Sequence, residues 1–210
     1  MASPWYTFPM RLVFATHNPG KIPEMQAILA GLPLTVCSAD DAGVHEDVVE
    51  DGQTFAENAL KKARFVAKQS GEWAVADDSG LCIAALDGKP GVYSARWAGE
   101  SVSGDALIAY TLAALKTVPE GKRQAWFESC AALVAPDGRE WTFSGKITGI
   151  IPLTPRGTPR PKLPYDTIFI PDGHGRTFAE MSDTEKNSLS HRGQAFGELR
   201  KFLQEIFEKA

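Results

Sequence analysis

The feature that most constrains this fold is the way its first part alternates. Between Leu12 and Leu86, apolar runs of strand length take turns with stretches of helical spacing. Leu12–Ala15 reads as a buried strand, and Ile22–Leu32 reads as a helix with Ile22, Met25, Ile28 and Leu29 on one side. Leu34–Cys37 returns as a strand, followed by an acidic, glycine-punctuated loop over Asp40–Gln53. Thr54 then opens a strong helix. Thr54 and Glu57 make a T-x-x-E capping box, and Phe55, Ala59, Leu60, Ala63 and Val66 supply an apolar face. Trp73–Ala76 reads as a strand running into Asp77-Asp78-Ser79-Gly80, and Leu81–Leu86 as another, broken by Gly88-Lys89-Pro90-Gly91. Strands joined by helices in this way argue for an α/β fold.

The rest of the chain fits the same class. Asp105–Leu115 reads as a helix, and Ala125–Ala135 with Glu140–Ile151 as a hairpin around Pro136-Asp137-Gly138. Pro152–Pro164 reads as a loop rich in proline and basic residues, Thr167–Ile170 as a strand, and Ser190–Phe207 as a closing helix. The Phe196, Leu199, Phe202, Leu203 and Ile206 stripe of that helix reads as core. At 210 residues, a single domain over 11–210 after a short tail at 1–10 is the expectation.

Composition narrows the function. The net charge of -4 comes without a Lys/Arg block, which argues against a nucleic-acid partner. No apolar run is long enough for a membrane span, and MASPWYTFPM lacks the order of a signal peptide. The three cysteines, Cys37, Cys82 and Cys130, have no metal spacing and read as buried thiols of a reducing cytoplasm. The expected location is therefore cytoplasmic.

Four polar segments carry the chemistry. In Thr16-His17-Asn18-Pro19-Gly20-Lys21, a turn signature lies between a strand and a helix start. It can be a plain turn. It can also cradle phosphate, because a helix N-terminus offers unpaired N–H groups and Lys21 adds a positive charge. Asp77 and Asp78 follow an apolar strand, and open α/β sheets place ligands at strand carboxyl ends. One aspartate would face the site while its neighbour supports it. Asp78 could bind a hard cation such as Mg2+ or take a proton from water, or the segment could be an ordinary D-S-G turn. The acidic run Glu46–Gly52 is a solvated loop unless a metal needs a second carboxylate nearby. In Glu185–Gly193, Ser190 is a good N-cap, which puts His191 and Arg192 in the first turn of the last helix. Cations are unfavourable there, so with Lys186 they suggest contact with an anion or a polar ring. Taken together, the four segments describe a pocket for Mg2+ and a polyphosphate.

The combination of ATHNPGK (15–21), TFAENALKKA (54–63), ADDSG (76–80), PGVYSARWAG (90–99), YD (165–166), IFIP (168–171), TFAEM (177–181) and EKNSLSHRGQA (185–195) resembles the inosine triphosphate pyrophosphatase family. The resemblance runs in order along nearly the whole chain. It implies an elongated central mixed sheet with flanking helices, two lobes around a nucleotide cleft, and a homodimer. It implies Mg2+-dependent hydrolysis of non-standard purine nucleoside triphosphates (ITP, dITP, XTP) to monophosphate and pyrophosphate. By motif match, Thr16, His17, Asn18, Pro19, Gly20 and Lys21 would cradle the triphosphate. Asp78 would act at the metal and as proton acceptor, Glu50 as a second metal ligand, and Ser79 would touch substrate. Lys186, His191 and Arg192 would contact the nucleotide, and Tyr165 and Asp166 would belong to the base-side loop. One segment departs from the family. Where its members usually carry GFGYDP, this chain has Leu163 and Pro164 before Tyr165-Asp166, with extra basic residues Arg160 and Lys162. The alternative reading is therefore a pyrophosphatase or nucleotide-binding protein of the same fold with another base preference.

Overall fold

The computed structural model describes residues 10–16 and 21–209, except for the side chains of Lys21, Pro23 and Glu24. The elements are β1 (Met10–Phe14), α1 (Lys21–Ile28), β2 (Leu34–Ser38), α2 (Phe55–Ser70), β3 (Trp73–Ile83), α3 (Gly104–Ala114), β4 (Gln124–Val134), β5 (Glu140–Ile150), β6 (Ile170–Pro171), α4 (Asp183–Leu189) and α5 (His191–Glu208). The strands form one sheet in the order β2-β1-β3-β4-β5-β6. β1 is parallel to both β2 and β3, whereas β5 and β6 are antiparallel, so the sheet is mixed and the class is α/β. Met10, expected at the end of the tail, is already the first residue of β1. Residues 1–9 lie outside the described part.

The chain divides into two units, residues 1–78, 130–144 and 195–210 against 79–129 and 145–194. The core of the first gathers Leu12 and Phe14 from β1, Met25 and Leu29 from the α1 region, Trp73 and Val75 from β3, and Phe196, Leu199 and Leu203 from α5. Phe196, Leu199, Phe202 and Leu203 of the stripe read from the C-terminal sequence therefore face a core, with Phe196 edge-on to Phe14 at 6.0 Å. The core of the second is built around Leu81, Ile83, Phe127, Phe169 and Phe178.

Local signals explain most boundaries. The Thr54 hydroxyl accepts from the Glu57 N–H at 3.1 Å and Glu57 accepts from the Thr54 N–H at 3.2 Å, so the capping box that starts α2 is formed. Between β4 and β5, Gly138 N–H donates to the Ala135 carbonyl at 2.9 Å, with Pro136 in the position where its fixed φ suits the turn.

Two expectations are corrected, and one helix is added. Asp77-Asp78-Ser79-Gly80 is not a turn between two strands, because β3 runs unbroken for 11 residues through it. Ladder hydrogen bonds and burial outweigh the local turn preference of Asp, Ser and Gly. Half of the expected strand Thr167–Ile170, namely Thr167 and Ile168, is instead the end of a short 3-10 turn over Pro164–Ile168, and only Ile170–Pro171 pair as β6. The expected closing helix is preceded by a separate one, α4, which opens with its own capping box of Ser182 and Glu185.

Candidate active site

In the first unit, the parallel trio β2-β1-β3 creates the setting. The chain leaves β1, returns beside it as β2, and later adds β3 on the other side, so the carboxyl end of β1 is a point where strand order reverses. Ligands favour such points in open α/β sheets. Thr16 lies just past that end, its N–H on the Phe14 carbonyl at 2.7 Å. His17, Asn18, Pro19 and Gly20 of the expected phosphate turn lie outside the described residues. Lys21 is the first residue of α1, as a cradle at a helix N-terminus requires. Phe14 pairs with Val75, so β3 continues past the end of β1 and carries Asp77 and Asp78 outboard of it. The aspartates thus lie beyond a strand end after all, that of β1 rather than their own.

The pleat separates the two carboxylates: Asp77 is buried and Asp78 half-buried. Two side chains of α2, four residues apart and so on one helix face, organise the region. Asn58 is fully buried and donates from Nδ2 to Asp78 Oδ2 at 3.0 Å, while its Oδ1 accepts from the Gly52 N–H at 2.8 Å. Lys62 donates from Nζ to Glu50 Oε1 at 2.9 Å and to the Asp77 carbonyl at 2.8 Å. The acidic loop is therefore tied to β3 through α2. Gly52 must be glycine, since a Cβ there would sit 2.6 Å from Asn58 Oδ1. Asn58 and Lys62 escaped the sequence reading, although both lie in the TFAENALKKA stretch, and their i, i+4 spacing was the available signal.

Among the described residues, no group of three or more His, Cys, Asp or Glu side chains is arranged to hold a metal. Glu50 and Asp78 are both half-buried carboxylates, and Glu50 is braced by an ammonium. Mg2+ is seldom caged by protein alone, and one or two carboxylates plus substrate phosphates is its usual arrangement. The all-oxygen donor set fits that ion.

In the second unit, Ser79 is half-buried on β3. Tyr165 is buried, its hydroxyl donating to the Ser94 carbonyl at 3.0 Å, and burial pushes its phenol up to about 12. Asp166 is buried and its Oδ2 accepts from Lys186 Nζ at 2.6 Å and Arg160 Nη1 at 3.3 Å. Lys186 belongs to α4, the helix before the one that carries His191 and Arg192, and is itself buried. Ser190 fulfils its expected capping role, its hydroxyl accepting from the Gly193 N–H at 3.0 Å. Gly193 has to be glycine, because a Cβ would fall 2.0 Å from the Asn187 carbonyl oxygen where α4 and α5 meet. That junction fixes His191, whose buried ring stacks on Phe127 at 4.8 Å and 9°, and the half-buried Arg192. Arg160, read only as an extra basic residue, proves to be an anchor of this unit.

Comparison with known proteins identifies the family. The model of the Ham1 family matches residues 12–202. A dITP/XTP pyrophosphatase of Geobacter sulfurreducens is 49% identical over 193 residues, 92% of this chain and 96% of that protein. The solved structure of a HAM1 protein from Coxiella burnetii superposes with a TM-score of 0.87 at 40% identity, covering 93% of this chain and 99% of the other. A nucleoside-triphosphatase / dITP/XTP pyrophosphatase from Mycobacterium abscessus matches with a TM-score of 0.77 at 41% identity, over 90% and 98% of the two chains. With a family match over nearly its whole length and relatives of this identity, the chain belongs to the Ham1 family.

Proposed function

We propose that this protein hydrolyses non-standard purine nucleoside triphosphates, ITP, dITP and XTP, to the monophosphate and pyrophosphate, and so clears them from the nucleotide pool. The observation that carries this reading is the full-length likeness to dITP/XTP pyrophosphatases. Residues 11–210 act as one functional domain, in the cytoplasm, as a homodimer. Among the described residues no helix is long and apolar enough to cross a membrane.

The phosphate end belongs to the first unit. Thr16 to Lys21, at the start of α1, meet the triphosphate with backbone N–H groups and the Lys21 charge. Mg2+ is the cofactor, held by Asp78 and Glu50, and when bound it supplies neutralisation of the phosphate charge. Asp78, oriented by the Asn58 amide, accepts a proton from the water that attacks the α-phosphorus. Lys62 keeps Glu50 in place and adds positive charge where the phosphates lie. Ser79, the next residue of β3, touches the substrate from the second unit.

The base end belongs to the second unit. Lys186, steadied by Asp166, together with His191 and Arg192, donates hydrogen bonds to the keto groups of the base, while Tyr165 holds the loop that carries Asp166. A 6-amino group would set donor against donor and cost about 1–3 kcal/mol, which disfavours adenine nucleotides. A second reading, a different base preference on the same phosphate machinery, is favoured by one observation, the Arg160–Pro164 stretch in place of the usual loop.

Hydrolysis of ITP in water labelled with heavy oxygen tests the reaction. The expected products are pyrophosphate and a monophosphate that carries the label. Orthophosphate and a diphosphate would overturn the reading.

A further inference from the structure

The base-side loop of this chain is built to be stiff. Pro159, Pro161 and Pro164 fix backbone torsions within it. Leu163 N–H donates to the Arg160 carbonyl at 3.1 Å, closing a tight turn in which Pro161 stands second and Lys162 third. Lys162 has φ 61, in the left-handed region where a turn of this kind usually takes glycine. A lysine held there signals that the surroundings determine the loop.

Arg160 supplies those surroundings. Its guanidinium, largely buried, donates from Nη1 to the Phe178 carbonyl at 2.6 Å and to Asp166 Oδ2 at 3.3 Å. Nη2 donates to the Met181 carbonyl at 2.5 Å, and Nε to Asp183 Oδ1 at 2.9 Å. One planar fork therefore joins the loop, the carboxylate that holds Lys186, and the 178–183 segment that leads into the helix carrying Lys186. A lysine offers one nitrogen and cannot reach all four acceptors at once.

We propose that Arg160 is a positioning residue for base recognition. It presets the Asp166–Lys186 pair so that the loop receives the base already formed, in place of ordering a flexible glycine loop on arrival. This rests on the pyrophosphatase reading for the identity of the ligand. A preformed loop lowers the ordering cost of binding, so its loss appears in affinity for ligands that carry the base.

The test compares wild type with Arg160→Met and Arg160→Lys, checked for cooperative thermal unfolding. Inosine monophosphate probes the base end, and inorganic tripolyphosphate, which has no base, probes the phosphate end. Arg160→Met is expected to weaken inosine monophosphate binding by calorimetry and raise KM for ITP, each about tenfold, with kcat within about threefold. Tripolyphosphate inhibition stays at the wild-type level, and Arg160→Lys falls between the two. If the methionine variant does not fold, the lysine variant carries the comparison, with the same divergence between the two probes. Unchanged inosine monophosphate affinity, or equal weakening of both probes, would overturn the proposal. A wild-type protein that binds inosine monophosphate but turns over no triphosphate would sink the pyrophosphatase reading and leave the role of Arg160 measurable. A wild type that does not bind it would sink both.

Discussion

Asn58→Asp changes one atom type at the centre of the phosphate-end site. The side chain is fully buried and isosteric, and an oxygen remains to accept the Gly52 N–H, so the loop connection survives. The contact at 3.0 Å from the residue-58 side chain to Asp78 Oδ2 changes from a donated hydrogen bond to a meeting of two carboxylates. A hydrogen bond to a charged group contributes about 1.5–3 kcal/mol net. At about 1.4 kcal/mol per unit, its loss alone raises the proton affinity of the carboxylate pair by about 1–2 units. Repulsion between like charges adds to the shift in the same direction, and the pair titrates as a unit. If ionised Asp78 takes the proton of the attacking water, the acid limb of the kcat against pH profile moves up by at least about one unit. Activity should recover at alkaline pH. The assay is pyrophosphate release from ITP with saturating Mg2+ across a pH series, with thermal unfolding as a check on the fold. A folded variant with an unshifted acid limb would refute the role assigned to Asp78 and its Asn58 contact.

Other predictions follow from the same geometry. Asp78→Asn is expected to lower kcat by about a thousandfold or more while leaving the melting temperature within a few degrees, measured by steady-state kinetics and calorimetry. Glu185 is held well below its ordinary value, to about 2, chiefly by the Ser182 backbone N–H and then by Arg176. A depressed carboxylate stabilises fully above its ordinary value and loses that contribution as pH falls through the folded-state one. The stability gap between wild type and Glu185→Gln should therefore be flat above about pH 5 and close toward pH 2 in thermal melts, and a gap that widens on acidification would contradict the assignment.

Much of this molecule is legible in its sequence because local and global preferences agree. The Thr54–Glu57 box, the Pro136–Gly138 turn and the apolar stripe of α5 each act over a few residues, and each appears where the spacing placed it. The failures share a cause. Asp77 to Gly80 have the local chemistry of a turn, but neighbouring strands hold them in β3. Residues 165–170 are buried throughout, polar Asp166 and Thr167 included, so the segment carries no periodicity to separate strand from turn. Helix α4 is short and mostly polar, and only its Ser182–Glu185 box announced it. At the site, Asp78, Glu50 and Lys186 could be singled out as charged residues in suggestive company. Asn58, Lys62 and Arg160 stood out less, since their importance lies in partners 15 or more residues away or on other elements, such as Asp78 for Asn58 and Met181 for Arg160.

The most direct measurement is pyrophosphate release with Mg2+ across inosine, deoxyinosine, xanthosine, guanosine, adenosine and pyrimidine triphosphates. Fast release from the first three, with the others slower by about tenfold or more, is the predicted result. Preference for adenosine or a pyrimidine form, or binding without release from any of them, would contradict it.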